Sequence, residues 1–303
     1  MLPARLTAPE YAALAAIVVI WGVNNAFAKI ATETMPPLMV GALRFALAAV
    51  CLAPFVRPPF PNPRTLIALV VLGGPVHFGL VYIGFAWAQD LSPLAVSLQL
   101  WIPFVAVFSW LLLGERLSPA VVGGLVLAFA GIVWMTADPH ALQDWDAIAV
   151  GAVASAAWAL ATVFARRAAS VSPTKLQGLL SLGTAPTLFA ASVLFEGDPR
   201  VSLAASAPEA YAAVAFGAIV STVFATGLLF WLVQRREAGR VTPYLLATPI
   251  VSILIGSAFL GDVLTTQILT GSAVTILGVG VVSLAERRLK SRPAPVEAEG
   301  AAA

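Results

Sequence analysis

Residues 111–118 read LLLGERLS, and 147 positions later residues 258–265 read AFLGDVLT. A glycine, an acid, a leucine and a hydroxyl thus close an apolar run twice. At the same offset Gly114, Gly124 and Gly131 fall on Gly261, Gly271 and Gly278. At an offset of 137, Trp21, Phe27, Ala28, Lys29 and Pro36 fall on Trp158, Phe164, Ala165, Arg166 and Pro173. Two matches in the same order, separated by a ten-residue slippage, mark a duplicated unit. The halves divide as 1–137 and 138–285, followed by a basic, then disordered tail at 286–303.

Composition says what kind of unit is duplicated. Of 303 residues, 60% are hydrophobic and 11% charged, where an average soluble domain carries roughly 25% charged residues. Ten apolar stretches, each about 20 residues, match the length needed to cross a hydrocarbon core of about 30 Å. They lie near 11–31, 36–56, 65–88, 91–113, 117–137, 147–170, 174–195, 210–233, 241–260 and 265–285. Pro and Gly inside them, as at Gly73-Gly74-Pro75, Pro103, Pro186 and Pro249, are tolerated where neighbouring helices satisfy the freed backbone. Residues 12–20 followed by Ala26-Phe27-Ala28 have the outline of a signal peptide. Arg5 alone is a weak basic start, however, and residues 21–36 are needed for the match, so the first helix is expected to stay.

Ten spans put both termini on one side. Fourteen of the seventeen basic residues fall there, among them Arg57, Arg64, Arg116, Lys175, Arg236 and Arg287. Lys29 and Arg200 fall opposite, and Arg44 lies inside a span. This bias predicts cytoplasmic termini. Because each half has five spans, the halves enter the membrane in opposite directions. The expected fold is an all-α integral membrane protein, with ten transmembrane helices as two inverted five-helix repeats around a central cavity. GERLS and GDVLT become equivalent turns on opposite faces, with Ser118 and Thr265 as helix N-caps.

Several chemistries lack support. The fifteen Asp and Glu residues all fall in predicted loops or tails, so no carboxylate is available mid-membrane to pair with a cationic drug. No phosphate-binding G-x-x-x-x-G-K loop is present, hence no ATPase in this chain. The single Cys51 and the separated His77 and His140 offer no metal cluster. No cofactor and no nucleic-acid partner are expected; the partners are a small-molecule substrate and the lipid bilayer.

Mid-depth positions are aromatic and neutral-polar. Trp21 and Asn24 share a face of the first helix. His77 precedes a stripe of Phe78, Tyr82 and Phe85 at helical spacing. Ser97 and Trp101 are four apart, with Gln99 between them. Ser155, Trp158 and Thr162 share a face, as do Thr222 and Thr226, and Tyr244, Thr248 and Ser252. Small hydroxyls also serve as interhelical glue, but Trp101 and Trp158 lie too deep for an interfacial belt and favour a cavity wall. His77 reads as a hydrogen-bonded structural residue or as a proton-linked one. Arg44 reads as a structural clamp or as a ligand for a substrate carboxylate.

The run WGVNNAFAKIATETMPPLMVGALRF (21–45) with GERLSPAVVGGLVLAFAGIVWM (114–135) resembles the EamA-type branch of the drug/metabolite transporter superfamily. Within that branch the chain looks like the YddG-type exporters of aromatic and other neutral amino acids. The resemblance implies export by alternating access across a bacterial cytoplasmic (inner) membrane, without enzymatic chemistry. The binding candidates are Trp101 and Trp158 for stacking, with Tyr82, Gln99, Ser97 and Thr162 for hydrogen bonds. Asn24, His77, Thr222 and Thr248 complete the wall. A drug or general metabolite exporter of the same fold is an open alternative, as is a non-transporting scaffold or scramblase.

Overall fold

The computed structural model describes residues 7–60, 62–114, 117–166, 172–235, 241 and 244–290, and all regular elements among them are helices. They are α1 (Ala8–Thr34), α2 (Pro37–Leu52), α3 (Pro63–Trp87), α4 (Leu91–Leu113), α5 (Pro119–Thr136), α6 (Trp145–Arg166), α7 (Pro173–Phe195), α8 (Pro208–Leu229), α9 (Thr248–Leu260) and α10 (Thr266–Lys290). A short helix, Pro199–Ala205, follows α7. Nine described helices are long and apolar enough to cross a membrane. The stretch read as a span at 241–260 differs. Its described helix α9 has eight α-helical residues and five in a π turn, roughly 20 Å at 1.5 Å per residue. Val241, Tyr244 and Leu245 are helical too, but a turn at Leu246-Ala247 separates them from α9. Pro249 in the first turn of α9 accounts for the break, since proline suits a helix beginning and not its interior.

Helix starts follow from local chemistry. Thr7 and Glu10 form a capping box on α1, the Thr7 amide and hydroxyl donating to Glu10 Oε2 at 2.7 and 3.0 Å. Asn62, Ser118 and Ser172 accept from the amides of Arg64, Val121 and Lys175. A proline in the first turn follows each of these three caps, where its missing N–H costs nothing. Thr265 accepts from Ile268 N at 3.1 Å, and its own hydroxyl donates to Asp138. Glu115 and Arg116 of the GERLS turn lie outside the described residues, as do Arg5, Arg167, Arg236, Arg240, Arg292 and the tail from 291.

At Gly73-Gly74-Pro75 the ladder of α3 widens into a π turn over Leu72–Val76. Proline removes a ladder donor and crowds the preceding turn. α8 carries a longer π segment, Phe216–Ala225, where the hydroxyls of Thr222 and Thr226 donate five residues back to the carbonyls of Gly217 and Ser221.

α5 and α10 pack along glycines. A methyl group on Gly124 would lie 2.9 Å from Gly278 O, and one on Gly271 would lie 2.8 Å from Gly131 O. These contacts exchange under the 147-residue offset: 124 maps to 271 and 278 to 131. Ala128 and Thr275, themselves equivalent, meet between them, with Thr275 Oγ1 3.4 Å from Ala128 O. Helix pairs built on small residues let backbones approach closely.

The two ends of the bundle are tied differently. At the end where α1 begins (the proximal end), the described helix caps are local, each within three residues of its partner. At the distal end, besides Asp138 with Thr265, three carboxylates accept from backbone amides far along the sequence. Glu196 accepts from the amides of Leu38 and Met39 at 2.7 and 3.2 Å. Asp144 accepts from Gln89 and Asp90 at 2.5 and 3.0 Å. Asp262 accepts from Leu91 and Ser92 at 3.0 and 2.8 Å and from the Ser92 hydroxyl. Carboxylates suit the positive ends of helix dipoles. Asp262, in the GDVLT turn, is 8% exposed and caps α4.

Candidate functional site

A cavity of about 420 Å³ lies between the helices, with walls from α1, α2, α3, α4, α6, α7, α8 and α9. It runs from Pro173 and Gln177 at the proximal start of α7 to Phe85 on α3, which is 1% exposed. Its volume falls in the range of roughly 300–1,000 Å³ typical of small-molecule sites. No Asp or Glu is among its lining residues.

The structure brings ten of the eleven candidates together there: Trp101, Trp158, Tyr82, His77, Gln99, Asn24, Thr162, Thr222, Thr248 and Arg44. Ser97 is the exception. It is fully buried, and its hydroxyl donates to Leu94 O at 2.8 Å, one turn back on α4. Ser155 on α6 fills the same junction and donates to Leu98 O at 2.9 Å. A four-residue spacing to Trp101 cannot show that the α4 ladder tightens into a 3₁₀ turn at Leu98–Leu100, between Ser97 and Trp101.

The aromatic wall is continuous. His77 stacks at 4.9 Å and 37° on Trp158, and Phe78 meets Trp158 edge-on at 6.0 Å. Phe78 also packs against Phe45 at 4.5 Å. His77 Nδ1–H donates to Ala154 O at 2.8 Å, because a carbonyl can only accept; in the neutral ring Nε2 is then an acceptor. Thr162 donates to Trp158 O at 2.8 Å, which ties its hydroxyl into α6. Thr248 Oγ1 is buried and, among the described residues, has no hydrogen-bond partner.

Arg44 is the only lining residue with a full charge and is 7% exposed. Its Nε donates to Thr222 Oγ1 at 3.0 Å and Nη1 to Asn24 Oδ1 and Tyr82 Oη at 3.2 and 3.0 Å; Nη2 donates to Ser221 Oγ at 3.3 Å. Sequence reasoning missed Ser221 and Asn25; Asn25 lines the cavity, and its Nδ2 donates to Ser252 Oγ at 3.1 Å. The duplication could have found Asn25: Trp21, Asn24 and Asn25 on α1 correspond at the 137-residue offset to Trp158, Ala161 and Thr162 on α6. All six line the cavity.

Comparison with known proteins places this arrangement. An uncharacterized transporter of Archaeoglobus fulgidus is 28% identical over 284 residues, covering 90% of this chain and 98% of its own length. A probable amino-acid metabolite efflux pump of Escherichia coli is 28% identical, covering 87% of this chain and 93% of its own. One crystal structure superimposes with a TM-score of 0.62 at 21% identity, over 94% of this chain and all of that one, so the fold is shared. The EamA-like transporter family matches residues 9–137 and 145–284, nearly the whole bundle and every wall of the cavity. With nine described helices long and apolar enough to cross a membrane, the chain is a multi-pass membrane transporter belonging to the EamA-like family.

Proposed function

We propose that this transporter exports aromatic and other neutral amino acids across the cytoplasmic membrane by alternating access. The observation that carries the reading is the cavity: aromatic walls from Trp21, Phe78, Trp101 and Trp158, neutral hydrogen-bonding groups, and no carboxylate lining it. A zwitterion with an apolar side chain suits such a site. A lipophilic cation would find Arg44 and no counter-charge. Phosphorylated sugars would want several basic groups. The efflux-pump relatives of Escherichia coli and Salmonella typhimurium, 28% and 27% identical, support the amino-acid class.

Ten crossings in two inverted halves are part of the proposal, with the tenth completed through α9. Support comes from the exchange of glycine contacts between α5 and α10, and from the equivalent wall positions on α1 and α6. The family also matches once in each half. Rocking of the halves would open the distal end, now held by Glu196, Asp144 and Asp262, and close the proximal one. The charge bias supports a cytoplasmic proximal end; most of its basic residues lie in segments without described side chains, though Arg57, Arg64 and Lys175 sit on that end.

Counterflow tests the reading. Liposomes holding the protein and unlabelled phenylalanine are offered labelled phenylalanine, with tetraphenylphosphonium as competitor. Transient accumulation is expected, insensitive to the cation and reduced at least tenfold by Trp158→Ala. Exchange of the cation with no phenylalanine counterflow would replace the amino-acid reading with a drug exporter.

A further inference from the structure

We propose that Arg44 is the carboxylate-binding subsite of the cavity, and that an incoming carboxylate takes it from α8, releasing the mid-membrane tie between the two halves of the chain. The inference rests on the reading of the cavity as the transport site and names the substrate group recognised there.

Arg44 is a buried cation whose four acceptors are all neutral: an amide oxygen, a phenol and two hydroxyls. Buried charges in proteins are normally paired, and no carboxylate lines this cavity. The contacts measure 3.0–3.3 Å, longer than the roughly 2.7–2.9 Å of guanidinium–carboxylate bonds. One of the five guanidinium N–H groups has no acceptor among the described residues. The charge is therefore held in place by weak partners that a carboxylate can outcompete.

The surroundings fit an aromatic carboxylate. The guanidinium carbon lies 5.8 Å from the Phe78 ring centre, and Phe78 touches Trp158. An anion on Arg44 thus places its side chain along the aromatic wall. Gly217 shapes the other side. A methyl group there would sit 3.3 Å from both Arg44 Cδ and Asn24 Oδ1, so a glycine is what lets the α8 backbone come up to the guanidinium.

The coupling follows from which groups hold which edge. Nε and Nη2 point their hydrogens the same way and form the fork that a carboxylate grips with both oxygens. Thr222 and Ser221 occupy that fork now. Both come from the π segment of α8, in the second half, whereas Asn24 and Tyr82, on Nη1, belong to the first half with Arg44 itself. A bidentate carboxylate displaces the two hydroxyls and removes this direct tie between α2 and α8 at mid-membrane, while Asn24 and Tyr82 keep the guanidinium in position.

Binding measured on the purified full chain in detergent, by the fluorescence of the cavity tryptophans, tests this with 3-phenylpropionate, 3-phenylpropionamide and phenylalanine. The wild type is expected to bind the carboxylate roughly 10–100-fold more tightly than the amide. Arg44→Gln should erase that ratio, chiefly by weakening carboxylate binding; Arg44→Lys should keep part of it. Thr222→Val, which frees Nε and preserves side-chain volume, should tighten 3-phenylpropionate about threefold or more. A wild-type ratio near one, a ratio that survives Arg44→Gln, or weaker binding in Thr222→Val would overturn the subsite, and the first and last need no folded Arg44 variant. Arg44-dependent binding of 3-phenylpropionate without binding of phenylalanine would uphold the subsite and remove amino acids as the substrate.

Discussion

Gly278→Val is expected to lower the melting temperature by roughly 5–10 °C, whereas Gly123→Val on the facing helix should change it by less than a degree or two. A Cβ at 278 would lie 2.8 Å from Ala128 Cα and 2.8 Å from Gly124 O. Both are backbone atoms of α5, so relief requires moving the whole helix. Overpacking of this kind costs about 1–3 kcal/mol even where side chains can give way, and here they cannot. At Gly123 nothing lies within 4 Å of the same added atom. Two adjacent glycines on α5 thus separate cleanly: Gly124→Val should resemble Gly278→Val, and Gly123→Val should resemble the wild type. Thermal denaturation of the purified variants in one detergent decides it.

The second large effect belongs to the distal end. Asp262→Ala strips the partner from the amides of Leu91 and Ser92 and from the Ser92 hydroxyl, at a site 8% exposed. Losing a charged acceptor from buried donors costs about 1.5–3 kcal/mol. A fall of roughly 4–8 °C in melting temperature is expected. Thiol reagents applied from the distal side should also reach the cavity faster. Asp90→Asn should act in the opposite direction. Burial, then the neighbouring charges of Asp262 and Asp144, raise the Asp90 pKa, against an amide bond from Val263 and the nearby His140. A carboxyl with a raised native pKa binds its proton more tightly when folded. Its contribution to stability is therefore full below the ordinary value of 3.8 and lost as pH rises through the raised one. Asp90→Asn should accordingly raise the melting temperature at pH 7, with the gain shrinking towards zero as pH falls below 3.8. A constant gain at all pH values would show that charge is not its cause.

Much of this is legible in the sequence, for a physical reason. Hydrophobic length is dictated by the bilayer, so nine helices appear within a few residues of where apolar runs begin and end. Gly124, Gly131, Gly271 and Gly278 were recognisable because only a repeat would space them identically. The mid-depth Trp101, Trp158 and Tyr82 were recognisable because large amphipathic side chains far from the interface need a cavity or a core. What escaped depends on distant partners or on departures from ideal helices. Asp144, Asp262 and Glu196 read as solvated loop acids, yet the amides they accept from lie 54 to 171 residues away. Ser97 shared a face with Trp101 on paper, but the 3₁₀ turn at Leu98–Leu100 and a carbonyl one turn back claimed it. Ser221 faces Arg44 beside Thr222 through the π segment of α8, which has no proline to announce it. The 241–260 stretch breaks at Leu246-Ala247 because a proline starts a helix, information that hydropathy averages away.

The most direct test of the cavity as an alternating-access path is the reactivity of one thiol within it. Thr162 lines the cavity on α6. In a Cys51→Ala background, which removes the single native and exposed thiol, Thr162→Cys can be treated with a membrane-impermeant maleimide in vesicles of either orientation. Reaction from both sides, each slowed by phenylalanine, is the expected result. Reaction from one side only, with or without phenylalanine, would contradict it.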